Sequence, residues 1–306
     1  MQLRDIVSNP YLTRGEELLG IIYKLRMVSA EQLSVIMGIS KKYVFQLKSD
    51  LNKEGEMVLT HYNTQRGARR VPFSPEYKLG PRMYSLGPSG RAIVEAIVGH
   101  PVYLKKLTGR QKVHYYGVND ILVRTLQHLI KEEGGEKDSM AQLQAWDRLQ
   151  WLNSQEAVEI INQAWTPILE NRKKKEEKET KQDLIHPDSR IVLDGQGFWL
   201  EYDNGTEQIG EPDSEPDSEG KVTTIYDKMW RYLLTLIPIE NHDPIIWVTP
   251  SPIRRDNMKH TWEKVKEESS YKTYPEMYFC TPGEEQTIFF KHKLATQRCL
   301  ELSETY

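Results

Sequence analysis

Cysteine is nearly absent from the chain: Cys280 and Cys299 are the only two in 306 residues. Two thiols exclude a disulfide framework and a Cys-rich zinc site, and they fit a reducing, cytoplasmic compartment. Long apolar runs are missing too. The best candidate, Tyr232–Ile239, falls far short of the roughly 20 residues that a membrane span requires. The opening MQLRDIVSNP lacks the apolar stretch of a signal peptide, so no membrane partner is expected. Several catalytic signatures are also absent. There is no G-x-x-x-x-G-K-[ST] for a P-loop ATPase, no G-x-S-x-G nucleophile elbow and no Cys-x-x-Cys pair. Nor does a His-x-His pair accompany a tyrosine, as it does in rolling-circle initiators and relaxases.

What is present is an uneven distribution of charge. The total of −3 conceals a balance of +9 over residues 1–112 and −12 over the remainder. A basic front on an acidic back predicts nucleic-acid contact by the first part and a different task for the second. The length predicts about two domains at roughly 150 residues each.

Residues 13–54 carry three helix patterns in close succession. Thr13 and Glu16 form a capping-box signature before Leu18, Ile21, Ile22 and Leu25. Ser29 caps a shorter helix that Gly38 ends, and Ser40 caps a third with Val44, Leu47 and Leu51 as its apolar stripe. The turn Gly38-Ile39-Ser40 between the last two gives a helix-turn-helix. Strands over Met57–Thr60 and Arg82–Leu86 come next, separated by a basic Gly/Pro-rich excursion. Three helices and such a hairpin predict a winged helix with a long wing. Lys41, Lys42, Tyr43, Gln46 and Lys48 on the third helix, and Arg66, Arg69 and Arg70 in the wing, are the candidate contacts to double-stranded DNA. Lysine and tyrosine suit phosphates, whereas Gln46 could read a base edge.

Pro88 opens a further helix, and Asn119 or Asp120 is placed to cap Ile121–Glu133. Residues 139–178 read as continuing helix, with Trp146, Trp151 and Trp165 as core and Pro167 as a break or kink. The mixed-charge run 172–181 reads as a solvated helix end or linker. Strand and helix then alternate. Asp194-Gly195-Gln196-Gly197 is a hairpin signal between Ile191–Leu193 and Phe198–Tyr202. The tandem Glu-Pro-Asp-Ser within 206–220 reads as an acidic loop. A helix over Thr224–Leu236, a strand over Ile245–Val248, a helix over Arg254–Glu268 and a strand over Glu276–Cys280 complete an α/β layer with a mixed sheet. Arg254 and Arg255 read as a solvated first helical turn, with phosphate contact as the rival reading. The expected division is a winged-helix domain over 1–110, a helical connector over 111–182, and an α/β domain over 183–306. In class terms this is an α+β / α/β chain.

One constellation could carry chemistry. Asp188 precedes the first hairpin strand, Glu201 and Asp203 lie two apart on the second, and Lys228 sits on the next helix. Carboxylates gathered this way favour a hard divalent cation such as Mg²⁺, and a lysine can neutralise charge on a phosphate. Pro-Asp, an acidic residue on the hairpin strand and a lysine resemble the PD-(D/E)xK nuclease superfamily. Here the position two after Glu201 is Asp203, so the lysine would be supplied by Lys228. The resemblance implies Asp188 and Glu201 as ligands of Mg²⁺, with Asp203 orienting water and Lys228 stabilising charge.

The wider pattern is similar to the replication-relaxation family of bacterial plasmids and mobile elements. It runs through Tyr84–Gly90, His114–Asp120, Glu201–Glu207, Lys228–Tyr232 and the strand ending Val248-Thr249-Pro250. This resemblance implies a DNA-binding protein of plasmid replication or relaxation, with replication or conjugation proteins as further partners. Three roles remain open at this point: metal-dependent nicking, regulation by origin or operator binding, and recruitment of replication or transfer proteins.

Overall fold

In the computed structural model the chain forms two compact units, Met1–Trp151 with Val192–Gly195, and Leu152–Ile191 with Gln196–Tyr306. The structure describes residues 1–53, 59–63, 82–103, 107, 109–135, 139–174, 184–205, 207–210 and 224–292. The wing arginines Arg66, Arg69 and Arg70 lie outside the described residues, as do the 211–220 part of the acidic loop and most of the run 172–181.

The first unit opens with α1 (Leu3–Val7), α2 (Arg14–Leu25), β1 (Val28–Ser29), α3 (Ala30–Met37) and α4 (Lys41–Lys53). Local signals set these boundaries. Thr13 and Glu16 close a reciprocal capping box on α2, and Ser29 and Gln32 do so on α3. Gly38 ends α3 in the left-handed region at φ 63°, and the Ser40 hydroxyl accepts from Tyr43 N at 3.2 Å to start α4. Val44 and Leu51 are buried, as the stripe requires. After α4 come β2 (Leu59–Asn63), β3 (Arg82–Leu86) and α5 (Pro88–Val98). β3 lies between β1 and β2 in a three-stranded antiparallel sheet, with Thr60 opposite Ser85 and Val28 opposite Tyr84.

Beyond α5 the chain departs from expectation in two places. The helix expected to begin at Asn119 or Asp120 is one continuous α6 (Gly109–Glu132), and Asn119 lies inside it rather than at its end. Its buried side-chain amide donates to the carbonyls of Leu25 at 3.1 Å and Met27 at 2.6 Å where α2 ends, and the Leu25 carbonyl also accepts from Met27 N at 2.7 Å. The helix expected to continue from 139 is interrupted: α7 (Ser139–Arg148) passes directly into β4 (Leu149–Asn153), which passes directly into α8 (Ser154–Lys174). Leu149, Trp151 and Leu152 are buried in that strand. Helical spacing and a short buried strand give the same apolar pattern here, so periodicity does not separate them. Asn153 caps α8, with its Oδ1 accepting from Glu156 N at 3.1 Å. α8 also runs through Pro167, where the Thr166 hydroxyl donates to Asn162 O and buried Ile161 and Trp165 anchor the helix.

After α8 come β5 (Ser189–Leu193), β6 (Gln196–Tyr202), α9 (Ile225–Leu236), β7 (Ile245–Val248), α10 (Pro252–Glu268), β8 (Met277–Cys280) and a last helix described over 285–292, all in the second unit but for Val192 and Leu193 of β5. Asp194 and Gly195 at the β5–β6 turn have φ 48° and 87°, the paired positive values of a two-residue hairpin loop. The sheet runs β4-β5-β6-β7-β8, with β6, β7 and β8 parallel. Trp199, Trp247, Met229, Leu233, Trp262 and Phe279 belong to one buried cluster against it.

Candidate functional site

The β5–β6 hairpin and the face of α9 place three of the four expected residues together. Asp188 N donates to Leu200 O at 3.1 Å, and Asp188 Oδ2 accepts from Tyr202 N at 2.7 Å. These two bonds fix the residue before β5 against the end of β6. Glu201 stands on β6 opposite Trp247 of β7 and is 1% exposed. Lys228 and Tyr232 are one turn apart on α9 and so share a face. Tyr232 donates its hydroxyl to Glu201 Oε1 at 2.8 Å. Lys228 Nζ lies 3.6 Å from Glu201 Oε2 and donates to Glu207 Oε1 at 3.0 Å. The 207–210 stretch that supplies Glu207 is tied to the start of α9, where Ile225 N donates to Gln208 O and Tyr226 N to Ile209 O.

Burial and the neighbouring Asp188 carboxylate push the Glu201 carboxyl well above the usual carboxylate range. Burial alone would lower Lys228. The Glu201, Asp188 and Glu207 carboxylates outweigh it and hold the ammonium above the ordinary lysine value. Burial and Glu201 raise the Tyr232 phenol likewise, so it stays a donor.

Asp203 has a different setting. It is buried, and both its oxygens are engaged by Arg254 of α10 in a bidentate pair, Nη2 to Oδ1 at 2.9 Å and Nε to Oδ2. Oδ2 also accepts from the Thr249 hydroxyl at 3.1 Å, and Oδ1 from Gly205 N at 3.1 Å. Arg254 further donates to Glu207 O. Arg254 therefore turns inward rather than forming a solvated first turn. Arg255 does face outward and pairs with Asp256 and Glu284.

Among the described residues, no group of three or more His, Cys, Asp or Glu side chains is arranged to hold a metal ion. Asp188 Oδ2 accepts from Tyr202 N, Glu201 Oε1 accepts from the Tyr232 hydroxyl, and Glu201 Oε2 faces the Lys228 ammonium at 3.6 Å. Mg²⁺ is commonly bound through one or two carboxylates with water completing its shell, and two oxygen donors of this kind fit that chemistry.

On α4, Lys41, Lys42, Tyr43 and Gln46 are exposed and Lys48 is half-buried. Lys41 pairs with Glu31 of α3, and the Lys48 ammonium lies 5.3 Å from the Tyr84 ring centroid. The structure brings forward three residues to which the sequence assigns no role of their own, Glu207, Tyr232 and Phe45, and turns Arg254 from an expected solvated position into the partner of Asp203. Tyr232 has a signal, as the residue four after Lys228. Phe45 has one too, as a large apolar side chain off the buried stripe of α4.

A family model described as replication-relaxation matches residues 19–235, more than two thirds of the chain. The match takes in α3, α4, Asp188, Glu201, Asp203, Lys228 and Tyr232, and it ends before Arg254. No curated protein and no solved structure matches the chain. With the matched span covering both the exposed helix and the buried carboxylates, the chain belongs to the replication-relaxation family.

Proposed function

We propose that this is a double-stranded-DNA-binding protein acting in plasmid or mobile-element replication or relaxation, with α4 as the helix that enters the major groove. The observation that carries this reading is the outward display of Lys41, Lys42, Tyr43 and Gln46 on the second helix of a helix-turn-helix, with a small antiparallel sheet after it. The order α2-β1-α3-α4-β2-β3 supports a winged-helix reading, and the segment between β2 and β3 holds Arg66, Arg69 and Arg70. Anisotropy titrations of the full chain against labelled duplex DNA test the reading. Affinity is expected to fall steeply between about 50 and 200 mM salt, as it does when phosphate contacts release counterions. Salt-insensitive binding, or binding untouched by reversing Lys41 and Lys42, would overturn it.

The convergence of Asp188, Glu201 and Lys228 favours a second reading for the other unit: metal-assisted phosphodiester hydrolysis. Asp188 and Glu201 would hold Mg²⁺, which when bound supplies a polarised phosphate and an activated water. Tyr232 holds the Glu201 carboxylate in place, and Lys228 neutralises charge on the phosphate. Asp203, locked to Arg254, positions the loop after β6 instead of touching water. Incubation with supercoiled plasmid and Mg²⁺ should yield nicked circles that Asp188→Ala and Glu201→Ala abolish. Intact plasmid over a range of sequences and metals would leave DNA-bound regulation, or recruitment of replication and transfer proteins, as the work of this unit.

A further inference from the structure

Phe45 stands apart from the buried stripe of its own helix. It is 43% exposed, and the neighbouring surface residues of α4 are Lys41, Lys42 and Gln46. Val44 and Leu51 mark the buried side of α4. At 100° per residue the opposite side is centred on Lys42 and Ser49, with Phe45 and Gln46 flanking them. A phenyl ring at such a place adds little to the core of its own fold. It is nonetheless braced: the Lys41 ammonium lies 5.9 Å from its ring centroid, and Glu31 holds Lys41 in turn. The helix therefore offers a fixed apolar spot inside a cationic and amide-bearing surface.

A partner for that surface must present anions around an apolar patch. The major groove does so wherever thymine occurs, with phosphates along both rims and the 5-methyl group on the floor. Gln46, the next residue, carries the amide that pairs with adenine N6 and N7. We propose that Phe45 reads the thymine 5-methyl group and, with Gln46, directs the chain to sites containing T·A pairs. This rests on the DNA-binding reading of α4 and adds the base it selects.

The test begins by selecting duplexes from a random-sequence pool with the full chain. Each selected duplex is then remade with single thymines replaced by uracil, which removes the methyl group and nothing else. For at least one position the wild-type protein is expected to bind the uracil form about fivefold more weakly, within the range for a lost base contact. Phe45→Ala should bind both forms equally, and Phe45→Leu should retain part of the preference. Equal wild-type binding to both forms, or an undiminished preference in Phe45→Ala, overturns the proposal while DNA binding stands. Failure to select any duplex over competitor polyanion overturns the DNA-binding reading and this assignment together, leaving Phe45 as a protein contact. Thermal melting of Phe45→Ala should match wild type, since the side chain is exposed.

Discussion

The lysines of α4 and the lysine of α9 carry the same charge in opposite circumstances. Lys42 stands in solvent, whereas Lys228 is enclosed between Glu201 and Glu207 and lies 6.0 Å from the centroid of the Trp247 ring. The same contrast holds for polar side chains: Gln46 faces out, while Asp203 has both oxygens consumed by Arg254, Thr249 and Gly205. Exposed charge is cheap to keep and interacts through a screened field, so it suits a large polyanion that arrives from outside. Enclosed charge must be matched group by group, and removing one member leaves its partner stranded. The first region is therefore a surface whose chemistry lies in what it displays. The second is a network whose chemistry lies in what holds it.

That contrast can be broken at several points. The largest effect is expected at Arg254. Its replacement by Ala leaves Asp203 buried and unpaired, and should cost about 3–5 kcal/mol in denaturant unfolding. Lys42→Ala, by the same measurement, should fall within about 0.5 kcal/mol of wild type. Equal costs at the two sites would erase the distinction.

Asn119 extends the rule of matched partners into the first unit. Asn119→Ala removes the side-chain donor from the Met27 carbonyl and leaves that of Leu25 with Met27 N alone, and should destabilise by roughly 1–3 kcal/mol, read from a shifted unfolding midpoint at unchanged slope. On the exposed side, Lys42→Glu should weaken duplex binding by about tenfold and lower the salt slope, with no change in melting temperature.

The smallest effect sharpens the comparison from within α2. Glu17 is buried, its Oε1 has no hydrogen-bond partner among the described residues, and burial raises its carboxyl above the ordinary value despite the Arg14 pair. A raised folded value means the fold favours the protonated form. The stability Glu17 contributes is therefore full below its unfolded value of 4.5 and is lost as pH rises through the folded one. Glu17→Gln should raise the melting temperature slightly at pH near 7 and lose that advantage near pH 4. An advantage that persists in acid would show that the carboxylate's charge is not the cause.

Much of this architecture is legible in residue order because its boundaries are set locally. Thr13, Ser29, Gly38 and the Asp194-Gly195 turn each act on backbone within a few residues, and each stands where its chemistry demands. The convergence of Asp188, Glu201 and Lys228 is also readable, since a two-residue hairpin fixes the first two and the next helix returns over the strand it left. What cannot be read depends on partners distant in the chain. Arg254 lies 51 residues from Asp203, and no local pattern in α10 separates an inward guanidinium from the outward one of Arg255. Asn119 has the composition of a helix cap, and only the carbonyls at the end of α2 make it a buried donor. β4 is hidden for another reason: between two helices with no loop on either side, its alternation is too short to stand out.

That loopless junction has a consequence for how the chain can vary. From Ser139 to Lys174 each residue belongs to α7, β4 or α8, with no slack between them. One added residue would turn the next helix by about 100° and swap the two faces of the strand, exposing Trp151 or Trp165. Substitution can be absorbed here, but a change of length cannot. Insertions and deletions tolerated elsewhere should stop at both ends of this segment, which makes its length a stricter signature of the fold than its composition.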